Sequence, residues 1–318
     1  MKHALKFLAA TALACLASVG HAEIVTARGD TTAGPVFNRL IEDLSGASAV
    51  GTAVRYDSYS FTVGTSGTYS FMSTARFDNF VFLYSPSFNG GLPLANARAG
   101  NDDLLGFTTA GFQYDLIAGA NYTFVTTGFG NNDFGAFSNT IGGPGTITAA
   151  ALPPPVPPTP DIVTFTGDTT SGPTFNRALE DLSGLSAVGT DVRYSSYHFR
   201  VDTAGSYTFL STAMFDNFVF LYSPTFDPTH ALTSAKAGSD DLLGLTTAGF
   251  SFDLVAGVDY EFVTTGFGNE DFGAFSNTIA GPGAITAAAV PEPETYALML
   301  VGLAALGIAR RRVNSAKA

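Results

Sequence analysis

The feature that most constrains the fold of this chain is an internal duplication. Residues 24–150 align with residues 162–288 at a constant offset of 138 positions, without a gap, and 90 of the 127 aligned positions are identical. Self-similarity over this length indicates two copies of one folding unit. Because the copies are so alike, identity between them does not by itself mark functional residues.

Each copy has the hydrophobic pattern of β-strands. Aromatic or aliphatic side chains recur at every second position at Tyr59, Phe61 and Val63, and aromatic ones again at Phe80 and Phe82. A period of two residues is typical of a strand with one buried face. Gly-rich breaks separate these runs, so we expect about seven or eight short strands per copy. The sequence predicts an all-β protein with two tandem antiparallel β-sandwich or jelly-roll domains.

A proline-rich segment separates the copies. Six prolines within residues 152–160 favour an extended, semi-rigid spacer, so we expect each copy to fold on its own. The predicted boundaries are a signal peptide at 1–22, β-sandwich repeat 1 at 23–150, a Pro-rich linker at 151–161, β-sandwich repeat 2 at 162–289 and a C-terminal tail at 290–318.

The N-terminal segment has the three parts of a secretory signal peptide. Lys2 and Lys6 form a positive region, residues 7–19 are apolar, and small residues precede a cleavage site between Ala22 and Glu23. The alternative is a permanent membrane helix, but this apolar run is short for a bilayer span. The segment therefore predicts export, with signal peptidase as a processing partner.

Composition excludes several classes of function. The chain carries 15 basic and 27 acidic residues, and this balance repels phosphate backbones, so we expect no nucleic-acid partner. Its one cysteine, Cys15, lies in the predicted signal peptide, which leaves the exported body without a disulfide or a thiol nucleophile. Among the few basic residues, we expect Arg39 to form an ion pair with Glu42 or Asp43.

No histidine-based catalytic site is duplicated with the repeats. Only His198 and His230 lie in the repeats, and they replace Ser60 and Leu92 of the first copy. A Ser-His-Asp triad requires a histidine that a carboxylate positions. We therefore expect a protein that is not an enzyme. Paired carboxylates, which can cleave glycosides, leave a secreted hydrolase as an alternative.

The C-terminal tail combines three elements in a defined order. A Pro-Glu-Pro tripeptide precedes an apolar stretch at residues 295–309, and three arginines follow it: Pro291, Glu292 and Pro293, then Arg310, Arg311 and Arg312. The stretch predicts a single C-terminal transmembrane helix, with the arginines in the cytoplasm and the body outside the inner membrane.

This order of elements resembles the PEP-CTERM sorting signal. In that family, an exosortase in the inner membrane recognises the tripeptide and processes the tail. The resemblance implies an inner-membrane-anchored precursor that is then delivered to the cell envelope or the extracellular matrix, with exopolysaccharide as a partner. A simple membrane anchor without cleavage is the alternative.

A second resemblance lies within each repeat. The first copy carries these motifs in order: Tyr59-x-Phe61, Gly67-x-Tyr69-x-Phe71, Asp78-Asn79-Phe80 and Asn101-Asp102-Asp103. The set resembles the bacterial pre-peptidase C-terminal domain, a small β-sandwich module appended to secreted enzymes or surface proteins. Relatives of that family include collagen-binding domains, some of which bind calcium. The resemblance therefore implies a β-sandwich with calcium as a candidate ligand.

Acidic loop residues are the candidate metal ligands. They lie in polar loops next to predicted strands: Asp78, Asn101, Asp102 and Asp103 in repeat 1, and Asp216, Asp240 and Asp241 in repeat 2. Hard oxygen ligands on adjacent loops suit Ca²⁺. The alternative is that these aspartates cap turns through hydrogen bonds to local amides.

Together these features predict an exported, exosortase-sorted protein of the cell surface or of an exopolysaccharide matrix. Its duplicated modules would bind or support other components without catalysis. The alternatives are a secreted hydrolase and an adhesin that acts on an extracellular polymer. In the adhesin, two copies would increase the apparent affinity for one target.

Overall fold

The computed structural model describes residues 22–150 and 161–288. In repeat 1 the strands are β1 Glu23–Asp30, β2 Val36–Phe37, β3 Val54–Val63, β4 Gly67–Ala75, β5 Asn79–Tyr84, β6 Ala97–Asn101, β7 Thr109–Leu116, β8 Asn121–Gly128, β9 Ala136–Gly143 and β10 Ile147–Ala149. In repeat 2 they are β11 Ile162–Asp168, β12 Thr174–Phe175, β13 Val192–Val201, β14 Gly205–Ala213, β15 Asn217–Tyr222, β16 Ala235–Ser239, β17 Thr247–Leu254, β18 Tyr260–Gly266, β19 Ala274–Ala280 and β20 Ile285–Ala287. One short 3₁₀ helix, Thr31–Ala33, is the only helix in these two ranges.

Each repeat consists of two antiparallel sheets. In repeat 1, a four-stranded sheet has the order β1-β9-β4-β7, and a second sheet has the order β10-β3-β8-β5-β6 with β2 paired to β3. Repeat 2 has the corresponding sheets, β11-β19-β14-β17 and β12-β13-β18-β15-β16, with β20 paired to β13. The prediction of an all-β protein with two antiparallel sandwich-like halves is confirmed.

The core of each repeat lies between its two sheets. Alternate residues of β3, such as Tyr59, Phe61 and Val63, point inward and pack against Tyr69 and Phe71 of β4. The same residue positions form a separate core in repeat 2. The period of two residues in the sequence therefore identifies the inward face, because successive side chains of a strand lie on opposite faces.

The larger sheet of each repeat also carries apolar residues on its outer face. In repeat 1, Phe80, Phe82 and Tyr84 are fully buried beneath the loop that joins β2 to β3 and the loop that joins β5 to β6. This second cluster explains why every residue of β5 is buried. It also fixes the long β2–β3 loop against the sheet, and this loop carries Arg39, which borders the candidate site.

Strand pairing brings three loops of each repeat to one end of its sandwich. Thr74 pairs with Thr109 and Asn79 pairs with Gly128, so the β4–β5, β6–β7 and β8–β9 loops meet there. We call this the acidic end of each repeat. It comprises residues 76–78, 102–108 and 129–135 in repeat 1, and 214–216, 240–246 and 267–273 in repeat 2.

The two repeats contact each other through their four-stranded sheets. Thr26 of β1 lies against Ser276 of β19, and Ser138 of β9 lies against Thr164 of β11. The sequence did not suggest this docking, because it predicts only that a spacer separates two folding units. The repeats have separate cores but are not held apart.

Several predictions concern residues beyond those that the structure describes. Within residues 22–150 and 161–288, no helix has the length and hydropathy needed to span a bilayer. The predicted transmembrane helix, the sorting residues Pro291 to Arg312, the signal segment up to residue 21 and the prolines of 151–160 lie outside these ranges. Strand β1 begins at Glu23, the residue that follows the predicted cleavage site.

Candidate metal centre

Three aspartates meet at the acidic end of repeat 1. Asp78 precedes β5, whereas Asp102 and Asp103 directly follow β6. These strands are antiparallel neighbours, and Val81 pairs with Asn101, so the start of one strand lies beside the end of the other. One carboxylate oxygen from each of the three aspartates lies within 4.8 Å of the others.

Repeat 2 has the same arrangement. Asp216, Asp240 and Asp241 occupy the positions that correspond to Asp78, Asp102 and Asp103, again with carboxylate oxygens within 4.8 Å of one another. In both clusters the first two aspartates are half-buried and the third is exposed. Each cluster therefore contains three of the seven residues that the sequence singles out as metal ligands, and Asn101 is the one that belongs to neither cluster.

Some carboxylate oxygens of these clusters lack a protein partner. The Oδ1 atoms of Asp102, Asp216 and Asp240 are shielded from solvent and accept no hydrogen bond from any described residue. A buried polar atom without a partner is destabilising. A turn-capping aspartate would instead accept a bond from a nearby amide, as Asp43 does from the Ser45 amide at 3.0 Å.

Crowding of these negative charges affects their protonation. Burial, followed by the neighbouring carboxylates of Asp103 and Asp78, raises the pKa of Asp102 to about 7. Burial, followed by Asp133 and Asp103, raises the pKa of Asp78 to about 6. These shifts mean that each cluster holds protons more tightly than isolated carboxylates do. A cation placed among the oxygens would favour the ionised forms.

The second cluster shows the same direction of change. Burial, and then Asp271 and Asp241, raises the pKa of Asp216 to about 6. Burial, and then Asp241 and Asp216, raises the pKa of Asp240 to about 6. Burial and neighbouring carboxylates raise these pKa values in both repeats. The raised pKa values are therefore a property of the repeated folding unit.

A buried arginine borders each cluster. Arg39 is only 2% exposed, and its guanidinium carbon lies 4.3 Å from the Phe80 ring centre and 4.6 Å from that of Phe129. Its Nε donates to the Phe129 carbonyl and its Nη1 donates to the Leu40 carbonyl, each at 2.8 Å. Its charge lowers the pKa of both Asp78 and Asp102. Arg39 is thus a counter-charge held close to the cluster.

The expected ion pair of Arg39 with Glu42 or Asp43 is wrong. Within the described residues, Arg39 forms no ion pair with either acid. Its donors are directed to backbone carbonyls, because stacking between two rings buries the guanidinium under the β2–β3 loop. Arg177 repeats this environment in repeat 2, with donation to the Phe267 and Ala178 carbonyls.

Asn101 lies beside the cluster, but its polar atoms have other partners. Its Oδ1 accepts a hydrogen bond from the Gly111 amide at 2.8 Å, and its Nδ2 donates to Glu42 Oε1 at 3.0 Å. Ser239 replaces it in repeat 2 and accepts a bond from the Gly249 amide. This position joins the end of β6 to β7 in both repeats, so we leave it out of the ligand set.

Asp133 is a neighbour that the sequence analysis did not include in the site. Its Oδ2 accepts a bond from the Gly130 amide at 2.7 Å within the β8–β9 loop, and its charge raises the pKa of Asp78. Asp271 has the same role in repeat 2. Asp133 is far from Asp78 in the sequence, and only the pairing of β5 with β8 brings the β8–β9 loop close to the cluster.

The donor set fits a hard divalent cation. Each cluster offers three carboxylates and, within the described residues, neither a histidine nor a cysteine. Oxygen-only ligands suit Ca²⁺, which takes six to eight oxygens at about 2.3–2.6 Å and completes its shell with water or carbonyl groups. Among the biological divalent ions, the softer metals prefer nitrogen or sulfur.

Comparisons with known proteins support the sorting signal. The PEP-CTERM protein-sorting motif matches residues 289–313, in agreement with the prediction for the tail. No curated protein matches the chain.

The solved structures that resemble this chain do so weakly. One is an anti-sigma factor domain-containing protein from Clostridium clariflavum, with 14% identity over 84% of this chain and 98% of that chain, and a TM-score of 0.22. Another is a putative secreted protein from Parabacteroides distasonis, with 6% identity over 82% of this chain and 90% of that chain, and a TM-score of 0.19. Scores this low carry no argument about function. The resemblance to pre-peptidase C-terminal domains therefore stays a prediction.

Proposed function

We propose that this chain is an exported, exosortase-sorted protein of the bacterial cell envelope or extracellular matrix, with a non-catalytic body. The match of the PEP-CTERM motif to residues 289–313 is the observation that carries the proposal. That motif indicates processing by an exosortase and delivery outside the cell. The body would then act as a structural or binding component rather than as an enzyme.

The two-sandwich body supports a non-catalytic role. The histidines of repeat 2 have carboxylate partners, because His198 Nε2 lies 2.9 Å from Glu261 Oε1 and His230 Nδ1 lies 3.0 Å from Asp227 Oδ2. Neither pair has a serine nucleophile among its hydrogen-bond partners. In repeat 1 the equivalent of the first pair is a hydrogen bond between Ser60 and Thr123. The first pair joins the neighbouring strands β13 and β18, and the second lies within one loop, so both are local structural contacts.

Substitution within the tripeptide tests the sorting proposal. Glu292→Ala keeps the apolar stretch and the arginines, so a simple membrane anchor would behave as before. The proposal predicts that wild-type protein loses its tail and leaves the inner-membrane fraction, whereas the variant remains there at full length. Glu294→Ala, two residues away, is the matched control. Identical size and fractionation of the wild type and Glu292→Ala would contradict exosortase processing.

We further propose that each acidic cluster binds Ca²⁺. The shielded, unpartnered oxygens of Asp102 and Asp240 favour this function over turn capping. Asp78, Asp102 and Asp103 would hold one ion, and the corresponding aspartates of repeat 2 would hold the other. A bound ion would neutralise the clustered charges and join the β4–β5 and β6–β7 loops.

Counting bound ions tests this second proposal. Equilibrium dialysis of residues 23–289, which contain every described strand and both cores, is expected to find two Ca²⁺ per chain. Asp102→Asn should remove one ion, and Asp240→Asn should remove the other. Asp43→Asn, in an exposed turn, is the control and should keep both ions. Full occupancy in the variant that lacks both Asp102 and Asp240 would refute the assignment.

A further inference from the structure

A buried carboxylate in repeat 2 connects the larger sheet to a loop. Glu261 lies on β18 and is only 4% exposed. Its Oε2 accepts hydrogen bonds from the Phe226 amide at 2.7 Å and from Thr225 Oγ1 at 3.1 Å, both in the β15–β16 loop. Its Oε1 lies 2.9 Å from Nε2 of His198 on β13. Both carboxylate oxygens therefore have partners, as a buried charge requires.

Repeat 1 has a shorter side chain at the position of this glutamate. Thr123 corresponds to Glu261, and Ser60 corresponds to His198. The hydroxyls of Thr123 and Ser60 lie 3.1 Å apart and bond to each other. Threonine has no carboxylate that could reach the loop. The chain therefore contains two versions of one site, and only the version in repeat 2 supplies its own carboxylate.

The loop that covers this position packs in the same way in both repeats. The Phe88 ring centre lies 4.7 Å from that of Tyr84 and 5.0 Å from that of Tyr56. The corresponding distances in repeat 2 are 4.6 Å and 5.0 Å. The β5–β6 loop has therefore not moved inward to take up the space that the shorter Thr123 leaves. Its amides keep the places from which the loop of repeat 2 donates to a carboxylate.

Several donors lie around this position in repeat 1. The described residues offer the Phe88 amide no hydrogen-bond acceptor, and the Ser87 hydroxyl corresponds to that of Thr225. The Tyr84 hydroxyl is fully buried and has no hydrogen-bond partner in the described part of the chain. Strand pairing places Tyr84 directly beside Thr123. A buried donor without a partner is destabilising, so this arrangement favours a ligand that brings acceptor atoms.

Electrostatics in repeat 2 place the tyrosine of this site near the carboxylate. Burial, and then the charge of Glu261, raises the pKa of Tyr222, which corresponds to Tyr84. Burial also raises the pKa of Tyr84, so this hydroxyl keeps its proton at neutral pH and remains a donor. A ligand that is not attached to a strand can approach the hydroxyl more closely than the side chain of Glu261 does.

We propose that repeat 1 binds a small monocarboxylate, of the size of formate or acetate, where repeat 2 places the carboxylate of Glu261. One ligand oxygen accepts from the Phe88 amide, as Glu261 does from the Phe226 amide. The Tyr84 hydroxyl donates to the ligand as well. An ionised carboxylate suits the position because it accepts at both oxygens and donates from neither.

Size and charge restrict the ligand. Thr123 is only 5% exposed, so the position under the loop admits a small group rather than a large one. Arg98 donates to the Ser85 carbonyl at 2.9 Å and gives the base of the loop a positive charge, which offsets part of the repulsion from the acidic body. A ligand of so few atoms makes few contacts, so we expect a dissociation constant of about 1–10 mM.

Titration with acetate tests the proposal. Residues 23–289 are labelled with ¹⁵N-phenylalanine, and the amide signals are followed by NMR. We expect a saturable change in the chemical shift of the Phe88 amide, whereas the Phe226 amide stays unchanged because Glu261 already occupies its site. Sodium chloride at equal concentration measures the general effect of salt. The absence of a saturable Phe88 response up to about 100 mM acetate, well above the expected dissociation constant, or an equal response to chloride, would overturn the proposal.

Substitution at Thr123 converts the site of repeat 1 into that of repeat 2. Thr123→Glu supplies a carboxylate from β8, so the Phe88 amide should no longer respond to acetate. Thr123→Glu combined with Ser60→His reproduces the whole pair of repeat 2 and replaces the single variant if that one does not fold. Asn121→Glu adds the same charge at an exposed position on the same strand and should keep the response. An unchanged response in the Thr123 variants would refute the site.

The reciprocal substitution in repeat 2 provides an independent readout. Glu261→Ala removes the acceptor of the Phe226 amide, and that amide should then show the saturable response to acetate that it lacks in the wild type. Asp253→Ala, at an exposed position, is the control and should leave the Phe226 amide unresponsive. A Phe226 amide that ignores acetate in Glu261→Ala would contradict the equivalence of the two sites, on which the proposal depends.

Discussion

Replacement of Arg39 by methionine probes the electrostatics of the acidic end. Methionine keeps apolar volume between the Phe80 and Phe129 rings but removes the positive charge and both donors. The Phe129 and Leu40 carbonyls lose bonds of 2.8 Å from a charged group. Asp78 and Asp102 lose the cation that lowers their pKa. The variant thus separates the role of the charge from that of packing.

The expected cost follows from these contacts. Hydrogen bonds from a charged donor contribute about 1.5–3 kcal/mol each. Relief of the buried guanidinium's desolvation offsets part of their loss. Two such bonds, less the relief of desolvation, lead us to expect that Arg39→Met costs about 2–4 kcal/mol. The cost should be smaller near pH 5 than at pH 8, because protonated aspartates no longer need a counter-charge.

Urea unfolding of residues 23–289 in EDTA, at both pH values, measures this difference. Arg55→Met is the matched control, since Arg55 stacks on Phe134 and donates to the Thr32 carbonyl at an exposed position. It should cost less than about 1 kcal/mol at either pH. An equal cost of Arg39→Met at pH 5 and pH 8 would refute the view that Arg39 is the counter-charge of the cluster.

Three further predictions concern stability. In EDTA, the free energy of unfolding should fall as the pH rises from about 4 to 7, because the raised pKa values of Asp78 and Asp102 make the folded state bind more protons than the unfolded chain in that window. A flat profile of urea unfolding across this pH range would contradict the clustering. Asn79→Ala should lower the free energy of unfolding of repeat 1 by about 2–3 kcal/mol, because it leaves a cavity and removes the buried bond from Asn79 Nδ2 to Ser73 Oγ. Urea unfolding measures this change. A change below about 0.5 kcal/mol, the size of a surface substitution, would show that the bond does not contribute to stability. Glu261→Ala should lower the free energy of unfolding by about 1–3 kcal/mol, since the buried Phe226 amide then lacks its acceptor. Asp253→Ala, at an exposed position, is the control. An equal effect of the two substitutions would contradict the role of Glu261 as that acceptor.

The sequence predicts the sandwich architecture because its signals are local. Strands with one buried face alternate apolar and polar residues, and Tyr59, Phe61 and Val63 occupy the core as that alternation predicts. The outer cluster on the larger sheet was not foreseen. Phe80 and Phe82 recur at every second position, but they face the loops, and it is Val81 that faces the space between the sheets.

The candidate site could be predicted only in part. Asp102 and Asp103 are adjacent in sequence, but their proximity to Asp78 depends on the pairing of β5 with β6. The sequence predicts an ion pair of Arg39 with Glu42 or Asp43, whereas tertiary packing buries Arg39 between two rings. Such contacts join residues that are far apart in the chain, so local patterns cannot reveal them.

Docking of the repeats is also invisible in local patterns. The contacting side chains are mainly serine and threonine, such as Ser138 and Thr164, which usually indicate a solvent-facing strand. One signal was present in the sequence. Arg76 and Asp161, which form an ion pair between the repeats, carry opposite charges, whereas the corresponding residues, Met214 and Glu23, cannot form an ion pair. An asymmetry between two nearly identical repeats can thus mark the place where they meet.

Thermal unfolding of residues 23–289 at pH 7.5, in EDTA and in millimolar Ca²⁺, tests the metal sites of this body most directly. A site filled at about 100 times its dissociation constant adds about 2.7 kcal/mol, which corresponds to a rise of about 5–10 °C in a body of this size. We predict such a rise in the wild type and its loss when Asp102→Ala and Asp240→Ala are combined. An unchanged melting temperature, or the same rise in that variant, would contradict the assignment of the acidic ends as Ca²⁺ sites.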